Sequence, residues 1–226
     1  MSTDALKAVL FDLDGTLLYT LPDIAGALNR ALAAEGLPEH PLEDYTHIVG
    51  GGIRTAIRRA APAGTDPAVL EAIHTHYQGD YPFHCADQTR LYPGVDTLLA
   101  ALRDAGVALG IISNKTETTS QRIAAHFFPD IPFRMVWGNN GERPLKPAAD
   151  AGQLACAQLG LPAGAVAYVG DSDVDMRFAQ RSGFLAVGAA WGYRGAEELT
   201  AAGADWLCAD AGALLARLRD ALPALR

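Results

Sequence analysis

Short apolar runs alternate with amphipathic helical patterns along most of this chain, and that alternation limits the folds open to it. The runs at Lys7 to Asp12, Val107 to Ile112, Phe133 to Trp137, Val166 to Val169 and Leu185 to Val187 have the length and continuity of strands buried on both faces. Asp205 to Leu207 reads as a further, shorter strand. Between the runs, Val95 to Ala105 puts Leu98, Leu99 and Leu102 on one helical face and stops at Gly106. Thr116 to His126 and Ala148 to Leu159, the latter ended by Gly160, continue the pattern. Strands that each lead into a helix imply an α/β fold, with a Rossmann-like, doubly wound parallel sheet as its core.

One region departs from the alternation. From Pro22 to about Tyr81 the periodicity is helical throughout, with stripes at Ile24, Leu28 and Leu32, then Ile53 and Ile57, then Val69, Leu70, Ile73 and Tyr77. A helical block placed after the first strand predicts an inserted all-helical cap domain over residues 18–88. The α/β core would then comprise 1–17 and 89–226, with hinges near Leu17 to Leu21 and Ala86 to Tyr92. A chain of 226 residues, half of them hydrophobic, is long enough for such a core and a modest second domain.

In an open parallel sheet, ligands gather beyond the carboxyl ends of the strands. The residues there are chemically coherent: Asp12 and Asp14 after the first run, Ser113, Asn114 and Lys115 after the second, Lys146 after the third and its loop, and Asp171, Asp173 and Asp175 after the fourth. Taken alone, Asp14-Gly15 between apolar runs is also a hairpin signal, and Lys146 is also an ordinary loop lysine. "DSDVD" opens like a calcium-binding EF-hand loop, but Met176 and Ser182 occupy the positions that need Gly and Glu. The histidines, His74 and His76 included, share no ligand spacing with the carboxylates. Trp191 and Tyr193 read as closing the core near the last strands.

The segments "DLDGT", "SN", Lys146 and "GDSDVD", in that order and around a helical insert, resemble the haloacid dehalogenase superfamily of phosphohydrolases. The resemblance implies that Asp12 is the nucleophile and forms an aspartyl phosphate, while Asp14 serves as general acid and then general base. It implies Mg²⁺ held by Asp12, the backbone carbonyl of Asp14 and Asp171, with Asp175 orienting the metal site or Lys146. Ser113 and the Asn114 backbone would donate to phosphoryl oxygens, and Lys146 would screen Asp12 from the phosphate. In this family loops similar to that of Trp191 and Tyr193 border the active site, which is faced by a glycine-containing turn of the cap. Here it corresponds to "VGGG" with Gly51, and Arg54 is the candidate for a substrate carboxylate. These roles suit phosphoryl transfer, where catalysis is chiefly positioning and charge stabilisation.

Within the superfamily, "LPDIAGALNRALAAEGLP", "YPGV", "SNK", "GDSDVDM" and "WGYRGAEEL" are most similar to phosphoglycolate phosphatases, so the expected substrate is a small phosphorylated metabolite, 2-phosphoglycolate first. One departure is Tyr19-Thr20, where many relatives carry an Asp after "DGTL". A β-phosphoglucomutase-like mutase, a pyrophosphatase or a nucleotidase would use the same chemistry, and a noncatalytic binding protein would keep only the fold. A dehalogenase has no need of Asp14. A phosphonatase uses a cap lysine, and no lysine occurs between Lys7 and Lys115.

Charge and composition narrow the partners. Lys and Arg total 18 against 26 Asp and Glu, a net charge of −8, so no broad basic surface is expected for nucleic acid. No apolar run is long enough to span a membrane, and the first residues lack the pattern of a signal peptide. Cys85, Cys156 and Cys208 form no CxxC pair and suit idle thiols in a reducing compartment. The expectation is a cytoplasmic monomer or homodimer.

Overall fold

The computed structural model describes residues 6–222 and Leu225, so the first five residues of the stretch that bears on a signal peptide lie outside the described residues. In chain order, β1 (Ala8–Phe11) and β2 (Leu18–Tyr19) precede the helices α1 (Leu21–Ala34), α2 (Tyr45–Ile48), α3 (Ile53–Ala60) and α4 (Pro67–His84), after which comes β3 (Arg90–Leu91). The rest alternates: α5 (Val95–Asp104), β4 (Ala108–Thr116), α6 (Glu117–Phe127), β5 (Val136–Asn139), α7 (Asp150–Leu159), β6 (Val166–Gly170), α8 (Asp173–Ser182), β7 (Leu185–Ala189), α9 (Gly195–Ala201), β8 (Trp206–Cys208) and α10 (Ala211–Ala221).

Among the described residues the main sheet has the order β5-β4-β1-β6-β7-β8, and every pairing in it is parallel. Strand β1 sits at its centre, where the winding reverses: Val9 lies beside Leu109 on one side and Ala167 on the other. The period of two sorts β1 between layers. Val9 and Phe11 pack with Leu98, Leu102, Ile111, Leu214 and Leu218, while Ala8 and Leu10 pack with Ala155, Tyr168, Met176 and Phe178 across the sheet. Burying each large side chain contributes roughly 1.5–3 kcal/mol, and both faces are covered, which fixes the register of the central strand.

The predicted strand over Phe133 to Trp137 begins at Val136, yet Arg134 N already donates to Leu109 O and Ile111 N to Met135 O, so the ladder reaches further back than the strand. The second run continues past its apolar letters: β4 carries Ser113, Asn114 and Lys115 in extended backbone, with a register irregularity between Ile112 and Thr116.

Helices α1 to α4 form the inserted block. The stripe Ile24, Leu28 and Leu32 is buried, together with Ile57, Ile73 and Tyr81. The two links to the core are paired: Leu18 opposes Leu91 and Tyr19 opposes Arg90 in an antiparallel ribbon. Beside it, the buried carboxylate of Asp23 accepts from Gln88 N at 2.9 Å, Thr89 N at 2.8 Å and Thr89 Oγ1 at 2.7 Å, tying the start of α1 to the returning chain.

Candidate active site

The carboxyl ends of β1, β4 and β6 meet where the strand order reverses, and a cavity of about 330 Å³ opens there between the sheet and α1, α3 and α4. Asp12, Asp14, Ser113, Asn114, Lys115, Lys146, Asp171 and Asp175 all line it, as do Gly51 and its neighbours from the inserted helices.

Asp12 follows the last residue of β1, its N–H donating to Val169 O and its carboxylate accepting from Leu13 N at 2.7 Å. The Lys146 ammonium stands 3.0 Å from Asp12 Oδ1 and 2.7 Å from Asp175 Oδ1, and donates to the Tyr168 hydroxyl at 2.7 Å. Burial pushes Asp12 up to about 6; Lys146 opposes that rise, Asp175 and Asp14 add to it, and a hydrogen bond with Ser113 lowers it slightly. Burial alone would lower the Lys146 ammonium, but Asp12 and Asp175 more than offset it and hold the lysine charged.

Neighbouring groups set the position of Lys146. Asn114 Nδ2 donates to Lys146 O at 2.9 Å and Lys146 N donates to Asn114 Oδ1 at 2.8 Å, so the carboxamide grips the lysine backbone from both sides. Asp175 is held by the N-terminus of α8: Ser172 N and Oγ both donate to its Oδ2, a capping box whose other oxygen faces Lys146. Asp173, by contrast, pairs outward with Arg177 at 3.0 Å.

Carboxylate oxygens of Asp12, Asp171 and Asp175 lie within 4.8 Å of one another. Burial, then Asp175 and Asp12, raise the Asp171 carboxyl well above the ordinary carboxylate range. Converging buried carboxylates are costly without a compensating cation, and an all-oxygen donor set suits a hard divalent ion. The surroundings of Asp171 are shaped closely around it. A Cβ on Gly15, whose φ is +81°, would stand 2.2 Å from Asp171 Oδ2, and Tyr193 N donates to that oxygen at 2.8 Å. The residues therefore fit a metal.

Asp14 points elsewhere. Its carboxylate receives the Lys115 ammonium at 2.9 and 3.0 Å and the Thr20 hydroxyl at 2.7 Å. Lys115 also donates to the Tyr81 hydroxyl of α4 at 2.6 Å, and burial keeps that phenol far above its usual range, hence neutral. Thr20 is fully buried and shares its hydroxyl with Tyr193 at 3.0 Å. Trp191 Nε1 donates to Thr16 O at 2.9 Å, so Trp191 and Tyr193 brace the turn after β1 rather than only closing the core. Asp14-Gly15 does turn the chain, with Gly15 N donating to Leu18 O, but the turn leads into the ribbon and not into a hairpin with β1.

One expected site residue lies elsewhere. Arg54 projects from the outer side of α3, its side chain 58% exposed, and pairs with Glu71 of α4 at 2.5 and 3.0 Å. Gly51 does line the cavity, in a turn with positive φ at Gly50, Gly51 and Gly52. That turn is held by Arg194, which donates from the core to Val49 O at 2.9 Å and contacts His47 Nδ1 at 2.8 Å. Lys115, Tyr81 and Arg194 are the site residues to which the sequence assigned no role, and Thr20 and Tyr193 are drawn into the site through Asp14; for Lys115 the signal was its place next to Ser113-Asn114 at a strand end.

A family model described as haloacid dehalogenase-like hydrolase matches residues 6–183. Among curated relatives, N-acetylmuramic acid 6-phosphate phosphatase of Pseudomonas aeruginosa is 32% identical over 188 residues, covering 83% of each chain. Phosphoglycolate phosphatase of Xanthomonas campestris pv. campestris is 34% identical over 188 residues, 83% of this chain and 85% of that one. A crystal structure from Lactobacillus delbrueckii subsp. bulgaricus superposes with a TM-score of 0.89 at 27% identity, covering 95% of this chain and 99% of the other.

Proposed function

The chain belongs to the haloacid dehalogenase-like hydrolases and is a phosphoric monoester hydrolase, and on that premise we propose that it uses Mg²⁺ and Asp12 to hydrolyse a small phosphate monoester, 2-phosphoglycolate first. The observation that carries this reading is the division of labour between Asp12 and Asp14. Both leave the central strand, yet Asp12 faces Lys146 and Asp171 while Asp14 faces Lys115 and Thr20. Two carboxylates in different surroundings take different parts of one reaction.

Asp12 attacks phosphorus, the ester P–O bond breaks, and a proton from Asp14 passes to the departing oxygen, releasing the alcohol. Asp14, now a carboxylate, takes a proton from water, whose oxygen attacks the aspartyl phosphate, freeing phosphate and restoring Asp12. Ser113 and the Asn114 backbone hold phosphoryl oxygens, and Lys146 lowers the repulsion between Asp12 and an anionic phosphate. Mg²⁺, held by Asp12, Asp171 and the Asp14 carbonyl, supplies charge neutralisation for nucleophile and phosphate when bound. The glycine turn at Gly51 closes the cavity over the substrate, with residues 18–88 acting as the cap.

The test is a comparison of kcat/KM with Mg²⁺ across 2-phosphoglycolate, N-acetylmuramic acid 6-phosphate, hexose phosphates, nucleotides and pyrophosphate, with Asp12→Asn as the blank. Phosphoglycolate is expected to lead. A clear lead for another compound replaces the substrate, and no phosphate release above the blank removes the hydrolytic reading of this chain.

A further inference from the structure

The geometry points to Lys115 as the residue that selects for an anionic leaving group, its ammonium leaving Asp14 and Tyr81 to bind a carboxylate on the alcohol side of the substrate. The inference rests on the phosphatase reading above and adds what that reading leaves open, namely which cation recognises the rest of the substrate once the phosphate is held.

Among the described residues, the cations that line the cavity are Lys115, Lys146 and Arg194. Lys146 is committed to the nucleophile side, with Asp12, Asp175 and Tyr168 all around its ammonium. Arg194 spends its guanidinium on His47 and Val49 O of the glycine turn. Arg54, the cation the sequence suggested for this task, is outside the cavity and bonded to Glu71. That leaves Lys115, whose side chain is 6% exposed and whose ammonium lies 2.9 Å from the carboxylate that meets the ester oxygen.

The placement matches a particular substrate chemistry. In a phosphoester of a 2-hydroxy acid, a single carbon separates the ester oxygen from the carboxyl carbon. A group next to Asp14 is therefore next to that carboxylate. Lys115 also bridges the domains: its backbone belongs to β4, while its ammonium bonds Tyr81 of α4 and lies 4.6 Å from that ring's centre. A carboxylate arriving between them meets a buried ammonium and a neutral phenol, the donors that a desolvated anion requires. A neutral alcohol of the same size offers Lys115 a hydroxyl acceptor but no charge in exchange for Asp14.

The experiment compares two esters that differ only in that group, 2-phosphoglycolate and 2-hydroxyethyl phosphate, in the Mg²⁺-loaded enzyme. A charge-assisted contact of this kind corresponds to about a 10- to 150-fold preference. In Lys115→Gln that preference is expected to fall to within about threefold of parity, with Lys115→Arg retaining part of it. Binding gives a second readout: in the Asp12→Asn background, calorimetry should show Lys115→Gln weakening phosphoglycolate far more than 2-hydroxyethyl phosphate. A residue that only steadied Asp14 would slow both esters alike, so an unchanged ratio overturns the inference.

If Lys115→Gln does not fold, the wild type still decides. Glycolate should inhibit competitively at least about tenfold more tightly than ethylene glycol, and equal inhibition overturns the assignment. The broad substrate screen is independent of this pair. Preference for another phosphate there removes phosphoglycolate as the substrate, while the matched esters still report on Lys115.

Discussion

Replacing Lys146 by Met keeps most of the side-chain volume but removes the charge that holds Asp12 and Asp175 together. The lysine is 3% exposed and its ammonium lies 3.0 Å from Asp12 and 2.7 Å from Asp175, so both carboxylates lose a buried partner at once. Breaking one side of a buried ion pair costs about 3–5 kcal/mol. Linkage sets the part of that loss that varies with pH. Holding a carboxyl of ordinary pKa 3.8 neutral costs about 4 kcal/mol at pH 7, of which the parent, with Asp12 at about 6, already carries about 3. Asp12 already sits at about 6 in the folded protein, and without Lys146 it moves higher. For an acid whose folded pKa exceeds its unfolded value, the folded state binds the extra proton, so the penalty is absent below about pH 3.8 and grows as pH rises toward the folded value. We therefore expect Lys146→Met, measured by urea unfolding in EDTA, to lose about 3–5 kcal/mol at pH 7 and about 1 kcal/mol less at pH 5. Adding Asp175→Asn, which keeps the helix cap, should return at least about 1 kcal/mol through coupling between the two sites. A loss below about 1 kcal/mol at pH 7, or one as large at pH 5 as at pH 7, would refute the view that Lys146 neutralises this cluster.

Two further outcomes follow from the same contacts. Asp171→Asn relieves repulsion from Asp175 and Asp12, so the metal-free variant should melt a few degrees higher than the parent while losing the rise in Tm that Mg²⁺ gives; a lower Tm, or an undiminished response to Mg²⁺, contradicts the assignment. Thr20→Val keeps the shape but removes the hydroxyl that donates to Asp14, and a hydrogen bond to a charged group of about 1.5–3 kcal/mol predicts a fall in kcat of tenfold or more with KM nearly unchanged, whereas an unaltered kcat in steady-state assays counts against it.

The parallel core was legible because each of its strands carries an apolar run and the helices between them show an apolar stripe, and these patterns survive without knowledge of the tertiary packing. The strand-end residues were legible for the same reason: once the sheet is parallel, Asp12, Ser113, Lys146 and Asp171 must emerge on one side. What the pattern did not carry was direction within the inserted helices. Arg54 lies one helical residue from the buried stripe, and its position alone did not say that Glu71 would draw it outward. Likewise Thr20 and Tyr193 are distant in sequence and meet only because the loop after β7 folds back over the turn after β1. The ribbon of β2 and β3 is too short for any period to register.

That ribbon also makes the inserted block a separable module. The chain leaves the core at Tyr19 and returns at Arg90, and these two residues are already backbone neighbours, so the helices between them hang from a closed stem. A two-residue Asn-Gly turn across the stem would convert it into an ordinary hairpin while leaving every strand of the main sheet in its register. A lineage could thus exchange, enlarge or discard what lies over the aspartates without rebuilding the sheet that aims them. The same chemistry could then be offered to substrates too large for the present cavity, and the stem is where such a graft should be made.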